Sequence, residues 1–186
     1  MVALTIDSGQ LKKLTRAVRH IQDGVPRALS PAINRALDHG RTVVKREIRK
    51  DYIIKAKDIP VRVRGANQAR LTGEVRLQQG MLDLNKFKVT PPGVQKAKNK
   101  RVISAQVKLA GGGRLIPHGF VQRMGTGYVG PFVRKGPARL PLKKLVTIGA
   151  PIMASQPGVG PVVQKAMGIA LAKNIDQQIV RFLATA

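Results

Sequence analysis

The chain has 186 residues, enough for one domain with a substantial core, and it carries 34 Lys and Arg against nine acids, for a formal charge of +25. A hydrophobic fraction of 43% is too high for a disordered basic tail, and the absence of cysteine excludes a disulfide framework and thiolate chemistry. A compact body so charged repels itself, so the expected counterpart is anionic: nucleic acid, a membrane surface or an acidic protein face.

The N-terminal stretch places Lys12, Lys13, Arg16 and Arg19 after Asp7 with no preceding apolar run, which does not read as a secretory signal. Behind Ser8, a potential cap, Leu11, Leu14, Val18 and Ile21 recur at helical spacing and predict a short amphipathic helix over 8–23, ended by Gly24. A longer helix follows at about 26–51, with Leu29, Ile33, Ala36, Leu37, Gly40, Val44 and Ile48 on one face and Arg35, Arg41, Lys45, Arg46 and Arg49 largely elsewhere. Pro26 or Pro31 suits its first turn.

From residue 60 the period changes to two. In ARLTGEVRLQQ, Ala69, Leu71, Gly73, Val75 and Leu77 alternate with polar residues, as in a half-buried strand. VRVRG before it, KFKVT at 86–90 and RVISAQVKL at 101–109 read as further strands. Between the last two, PPGVQKAKNKR reads as a basic, flexible loop at about 91–101 whose Lys96, Lys98, Lys100 and Arg101 would suit a DNA or partner contact.

Residues 110–160 are broken by glycine and proline every few positions, so strands there must be short; HGFVQRM and YVGPFVRKG are the best candidates. The uncharged run from Leu145 to Gln164 approaches a membrane span in length but contains Pro151, Pro157 and Pro161, which argues against a bilayer helix. Helical spacing returns from about Pro161 to Ala184 through Val163, Met167, Ala170, Leu171, Ile175, Ile179 and Phe182. The expected architecture is α+β over a single domain, 1–186, with a central antiparallel sheet packed by long amphipathic helices near both ends.

No pattern points to catalysis, a metal, a cofactor or a small-molecule substrate. His20, His39 and His118 stand far apart, and AGGGR at 110–114 lacks the Lys and Ser or Thr of a phosphate loop. Nucleases that use metal ions need clustered carboxylates, whereas Asp83 and Asp176 are consecutive acids separated by 92 residues that hold sixteen Lys and Arg. Backbone contact to a duplex needs little beyond such residues. With two Tyr, four Phe and no Trp, the chain is poorly equipped to stack single-stranded bases. A basic RNA-binding assembly protein of ribosomal type remains the alternative, because it shares the charge and the lack of cysteine.

The stretch GFVQRMGTGYVGPFVRKGPARLPLKKLVTIGAPIM resembles the C-terminal region of the phage minor tail protein Z family through Phe132, Arg134, Gly136, Arg139, Leu140, Pro141, Lys144, Gly149 and Pro151. Upstream, AINRAL at 32–37 and DYIIKAKDI at 51–59 are similar too, so the resemblance spans about 25–184. It implies a structural virion protein, assembled in the host cytoplasm, that completes the tail at its head-proximal end. Its partners would be tail terminator or tail tube proteins, head connector proteins and the double-stranded DNA passing through, with the subunits in a homo-oligomeric ring, six copies if the ring follows tail symmetry. Phe132, Arg134, Arg139, Leu140, Lys143 and Lys144 are the expected partner-binding residues. Leu140, Leu142 and Leu145 would pack inward or against a neighbour, and Arg139, Lys143 and Lys144 would face an acidic partner. Six copies would carry about 150 positive charges against roughly 20 phosphates in about 35 Å of duplex, so most of the charge would have to meet protein or solvent.

Overall fold

The structure, a computed structural model, describes residues 2–3, 8–17, 24–94 and 102–185. Val18, His20 and Ile21 of the first predicted helix lie outside the described residues. The chain divides into two compact units, and the long helix α2 (Gly24–Asp51) contributes to the first as far as Arg46 and to the second from Glu47.

The first unit contains α1 (Ser8–Ala17), most of α2, strands β1 (Val2–Ala3), β2 (Val61–Arg64) and β3 (Glu74–Leu77), and α4 (Val159–Thr185). In α2, Ala28, Leu29, Ala32, Ile33, Ala36, Leu37, Gly40, Val43 and Val44 are all buried, a stripe repeating every three to four residues. At 28 residues the helix is about 42 Å long. Pro26 occupies its first turn, where a missing N–H costs nothing, and Pro31 lies inside it. Gly40 lets α4 approach closely: a Cβ there would meet the Met167 side chain. Met167 belongs to the buried stripe of α4, with Val159, Val163, Leu171 and Ile175.

The three strands pair antiparallel in the order β1, β3, β2, with Val63 opposite Val75 and Arg62 opposite Arg76. Val75 is buried, and Glu74 offsets the outward charges by bonding Arg76 at 2.8 Å and Arg64 at 3.9 Å. Only 74–77 of the predicted ARLTGEVRLQQ strand enters the ladder. Before it, Asn67 forms a tight turn, accepting the Arg70 N–H on its side chain at 2.6 Å.

The second unit holds three small antiparallel sheets. Their strands are β4 (Leu82–Asp83) with β11 (Val146–Thr147); β5 (Lys88–Thr90), β6 (Ile103–Gln106) and β7 (Arg114–Ile116); and β8 (Phe120–Arg123), β9 (Val129–Arg134) and β10 (Leu142–Lys144). The short helix α3 (Ala150–Ala154) follows. In β6, buried Ile103 and Ala105 alternate with half-buried Ser104 and Gln106, the period expected of a strand. The end of α2 is tied in by Leu109 N–H to Asp51 C=O at 2.8 Å and Ile53 N–H to Val107 C=O at 2.9 Å. Between β7 and β8, His118 takes a left-handed backbone, φ 56°, in a tight turn.

The α+β class and the long helices near both ends agree with the sequence expectation. Among the described residues, however, the strands are distributed over four small sheets. Strand β7, the pairings of β10 and β11, and helix α3 carry no periodic signal, because two to five residues are too few to display one.

Candidate docking surface

Seven of the nine family-like positions named above, and all six expected partner-binding residues, fall on the β9–β10 hairpin or its tip. The register sets Leu142 opposite Arg134, Lys143 opposite Val133 and Lys144 opposite Phe132. The ladder continues beyond both ends of β10, through Lys135 N–H to Pro141 C=O at 3.2 Å and Leu145 N–H to Pro131 C=O at 3.0 Å. Residues 134–141 are all exposed. The tip therefore presents Lys135, Arg139 and Leu140 together, with Arg134 and Lys143 at its base.

Pairing of β8 with β9 adds Phe120 opposite Phe132, so Phe120, Phe132 and Lys144 form one row across the sheet. On the same face, two residues from Gly130, the Tyr128 ring occupies the space where a Gly130 side chain would be. It meets Phe132 edge to face, with centroids 6.0 Å apart. Two cations cover these rings: Lys144 Nζ is 4.3 Å from the Tyr128 centroid, and the Arg134 guanidinium carbon is 5.7 Å from that of Phe120.

Lys144 also contacts Asp83, Nζ to Oδ2, at 2.7 Å. The cause is a change of partner along one extended segment. Residues 142–144 pair with β9, then Val146 pairs with Asp83 on β4, which puts Asp83 diagonally next to Lys144 on one face. The Tyr128 hydroxyl donates to the same carboxylate at 3.4 Å. The hydrogen bond to Asp83 raises the Lys144 ammonium above its usual 10.5; burial, and then the Asp83 charge, raise the Tyr128 phenol above its usual 10.0.

The six expected residues thus divide by role. Phe132 is buried and anchors the sheet, and Lys144 is held by Asp83 and Tyr128. Arg134, Arg139 and Lys143 have no acidic partner among the described residues, nor does Lys135 beside them. Leu140, expected to pack inward or against a neighbour, does not pack inward: it is 64% exposed, because the tip that carries it projects past the last ladder bond. Leu142 and Leu145 are half-buried. Lys96, Lys98, Lys100 and Arg101 lie outside the described residues.

Two participants had escaped the sequence reading. Tyr128 was detectable in principle: Tyr128, Gly130 and Phe132 share one face of a predicted strand, with a gap between two rings. Asp83 was not, since it is 61 residues from Lys144 and only the β4–β11 pairing joins them. Among the described residues no group of three or more His, Asp or Glu is placed to hold a metal, and no helix is long and apolar enough to cross a membrane.

No curated protein and no solved structure matched the chain. A protein-family model, described as prophage minor tail protein Z (GPZ), matches residues 10–185.

Proposed function

The chain belongs to the prophage minor tail protein Z family and so has a structural role in a phage tail; from this premise we propose that it is the completion subunit at the head-proximal end, joining tail to head connector. In this reading it is not an enzyme. It sits in a homo-oligomeric ring between tail terminator or tail tube proteins and head connector proteins, and it borders the path of the double-stranded DNA.

The observation that carries the proposal is the hairpin tip. Arg134, Lys135, Arg139 and Lys143 project from a sheet stiffened by the Tyr128, Phe132 and Phe120 rings, and no carboxylate of the described residues engages them. A one-signed projection with an exposed Leu140 has the composition of a docking element for an acidic surface that has an apolar recess. The cationic cover over two of its rings braces the base of the projection.

The decisive experiment is complementation of a phage lacking this protein with Arg139→Glu/Lys143→Glu. Neither side chain has an ionic partner among the described residues, so the variant is expected to fold. It is expected to leave tails and filled heads that accumulate separately, and normal head–tail joining would refute the docking role. Sedimentation of a lysate carrying the tagged chain provides the parallel test. Co-migration with tails is expected, and co-migration with ribosomal subunits would replace this reading by the RNA-binding one.

A further inference from the structure

Helix α4 has a second stripe. Opposite its buried face, Val162, Ala166, Ile169, Lys173, Asp176 and Val180 advance by alternating steps of four and three residues, the spacing of the a and d positions in a coiled-coil seam. Ile169 is 63% exposed and Val180 67%. Asp176 is the one carboxylate in the chain after Asp83, and neither it nor Lys173 has an ionic partner among the described residues.

The order of these residues is self-complementary. A two-fold axis passing midway between residues 174 and 175 sets Ile169 opposite Val180 and, in the same register, Lys173 opposite Asp176. Each a position then meets a d position, as in an antiparallel seam. A parallel pair would place lysine on lysine and aspartate on aspartate. We propose that α4 pairs antiparallel with α4 of a second copy of this chain, closed by two Ile169–Val180 contacts and two Lys173–Asp176 ion pairs.

The pairing rests on α4 alone and is independent of the tail-completion reading. A ring threaded on a polar tail axis has no two-fold across that axis, so the pair belongs to the free chain. One helix pair covers less than the roughly 800 Å² per partner of a stable complex, which makes the association weak and reversible. Two bodies of charge +25 also repel, so the pair is best sought near 0.5 M salt, where the screening length is about 4 Å.

Sedimentation equilibrium of the full chain at that ionic strength is expected to reveal a concentration-dependent dimer. I169D, an exposed change that leaves the core untouched, should weaken it by about tenfold or more. K173D and D176K should each weaken it by roughly threefold to tenfold, and K173D/D176K together should restore it. The chain has no cysteine, so mixing I169C with V180C under mild oxidation should give a crosslinked dimer that neither variant gives alone. Two copies of residue 169 would be about 16 Å apart, beyond disulfide reach. A monomer at every concentration, a double swap as weak as the single ones, or equal crosslinking by either cysteine variant alone would each overturn the proposal. So would a different tail protein seated on the stripe of a monomeric chain.

Discussion

Lys144 and Arg139 carry the same charge five residues apart, yet only Arg139 lacks a carboxylate partner among the described residues. Lys144 belongs to a cluster with Asp83 and Tyr128, and its contribution depends on pH in one direction. The folded state raises both the Lys144 ammonium and the Tyr128 phenol above 10.5 and 10.0, so the associated stability is complete below those ordinary values and is lost as pH rises through the raised ones. Wild type should therefore lose thermal stability above about pH 10 more steeply than Asp83→Asn, which removes the carboxylate that helps raise both groups, as followed by circular dichroism melts from neutral to alkaline pH. At neutral pH that substitution should cost no more than about 1 kcal/mol, because the ion pair is half-exposed. Gly149 is a stricter requirement: a Cβ there would meet the Gly80 carbonyl oxygen, which is backbone and cannot swing aside. Gly149→Ala should destabilise by about 2–3 kcal/mol in urea titrations, and a loss under 0.5 kcal/mol would contradict the close approach.

Elements of this protein are joined by a few side chains that sequence periodicity does not reveal. On α2, Asn34 grips the chain after β2 from both sides: its amide donates to Ala66 C=O at 3.0 Å, its carbonyl accepts the Ala66 N–H at 2.7 Å, and the Ser30 hydroxyl also donates to Ala66 C=O at 3.2 Å. Gly65 is needed beside it, since a Cβ there would come within 2.8 Å of the Asn34 oxygen. Asn34→Ala should cost about 1–3 kcal/mol, because the N–H of buried Ala66 loses its acceptor, whereas Asn34→Asp keeps that acceptor and should lose less. Denaturation midpoints of the two variants at unchanged slope would check the order. The buried stripe of α2 was legible because 28 residues repeat the helical period many times. AINRAL stood out in the sequence as a motif, but not the task of its Asn34, which depends on where residue 66 returns.

At the scale of the whole molecule, charge dominates. Nine acids cannot offset 34 Lys and Arg, and several of those acids are committed: Glu74 to Arg64 and Arg76, Asp83 to Lys144, Glu47 to Lys50. Free protein should therefore bind duplex DNA without sequence preference. Its affinity should fall by orders of magnitude between about 50 and 200 mM salt, and structured RNA should compete no better at matched salt. Fluorescence anisotropy at several salt concentrations measures both, and a strong preference for RNA would favour the ribosomal-type alternative.

Composition, charge and periodicity alone determined that the chain folds and that it is α+β with long helices toward both ends, and they made an anionic counterpart the expectation; the quoted motifs pointed to the family. Those properties add up residue by residue along the chain, so they survive without coordinates. Which lysine stays available, that Leu140 projects, and that Asp83 closes on Lys144 were decided by tertiary structure. The first and last depend on pairing between segments about 60 residues apart, the second on the register of a hairpin, and strands of two or three residues have no preferred partner until the rest of the chain supplies one.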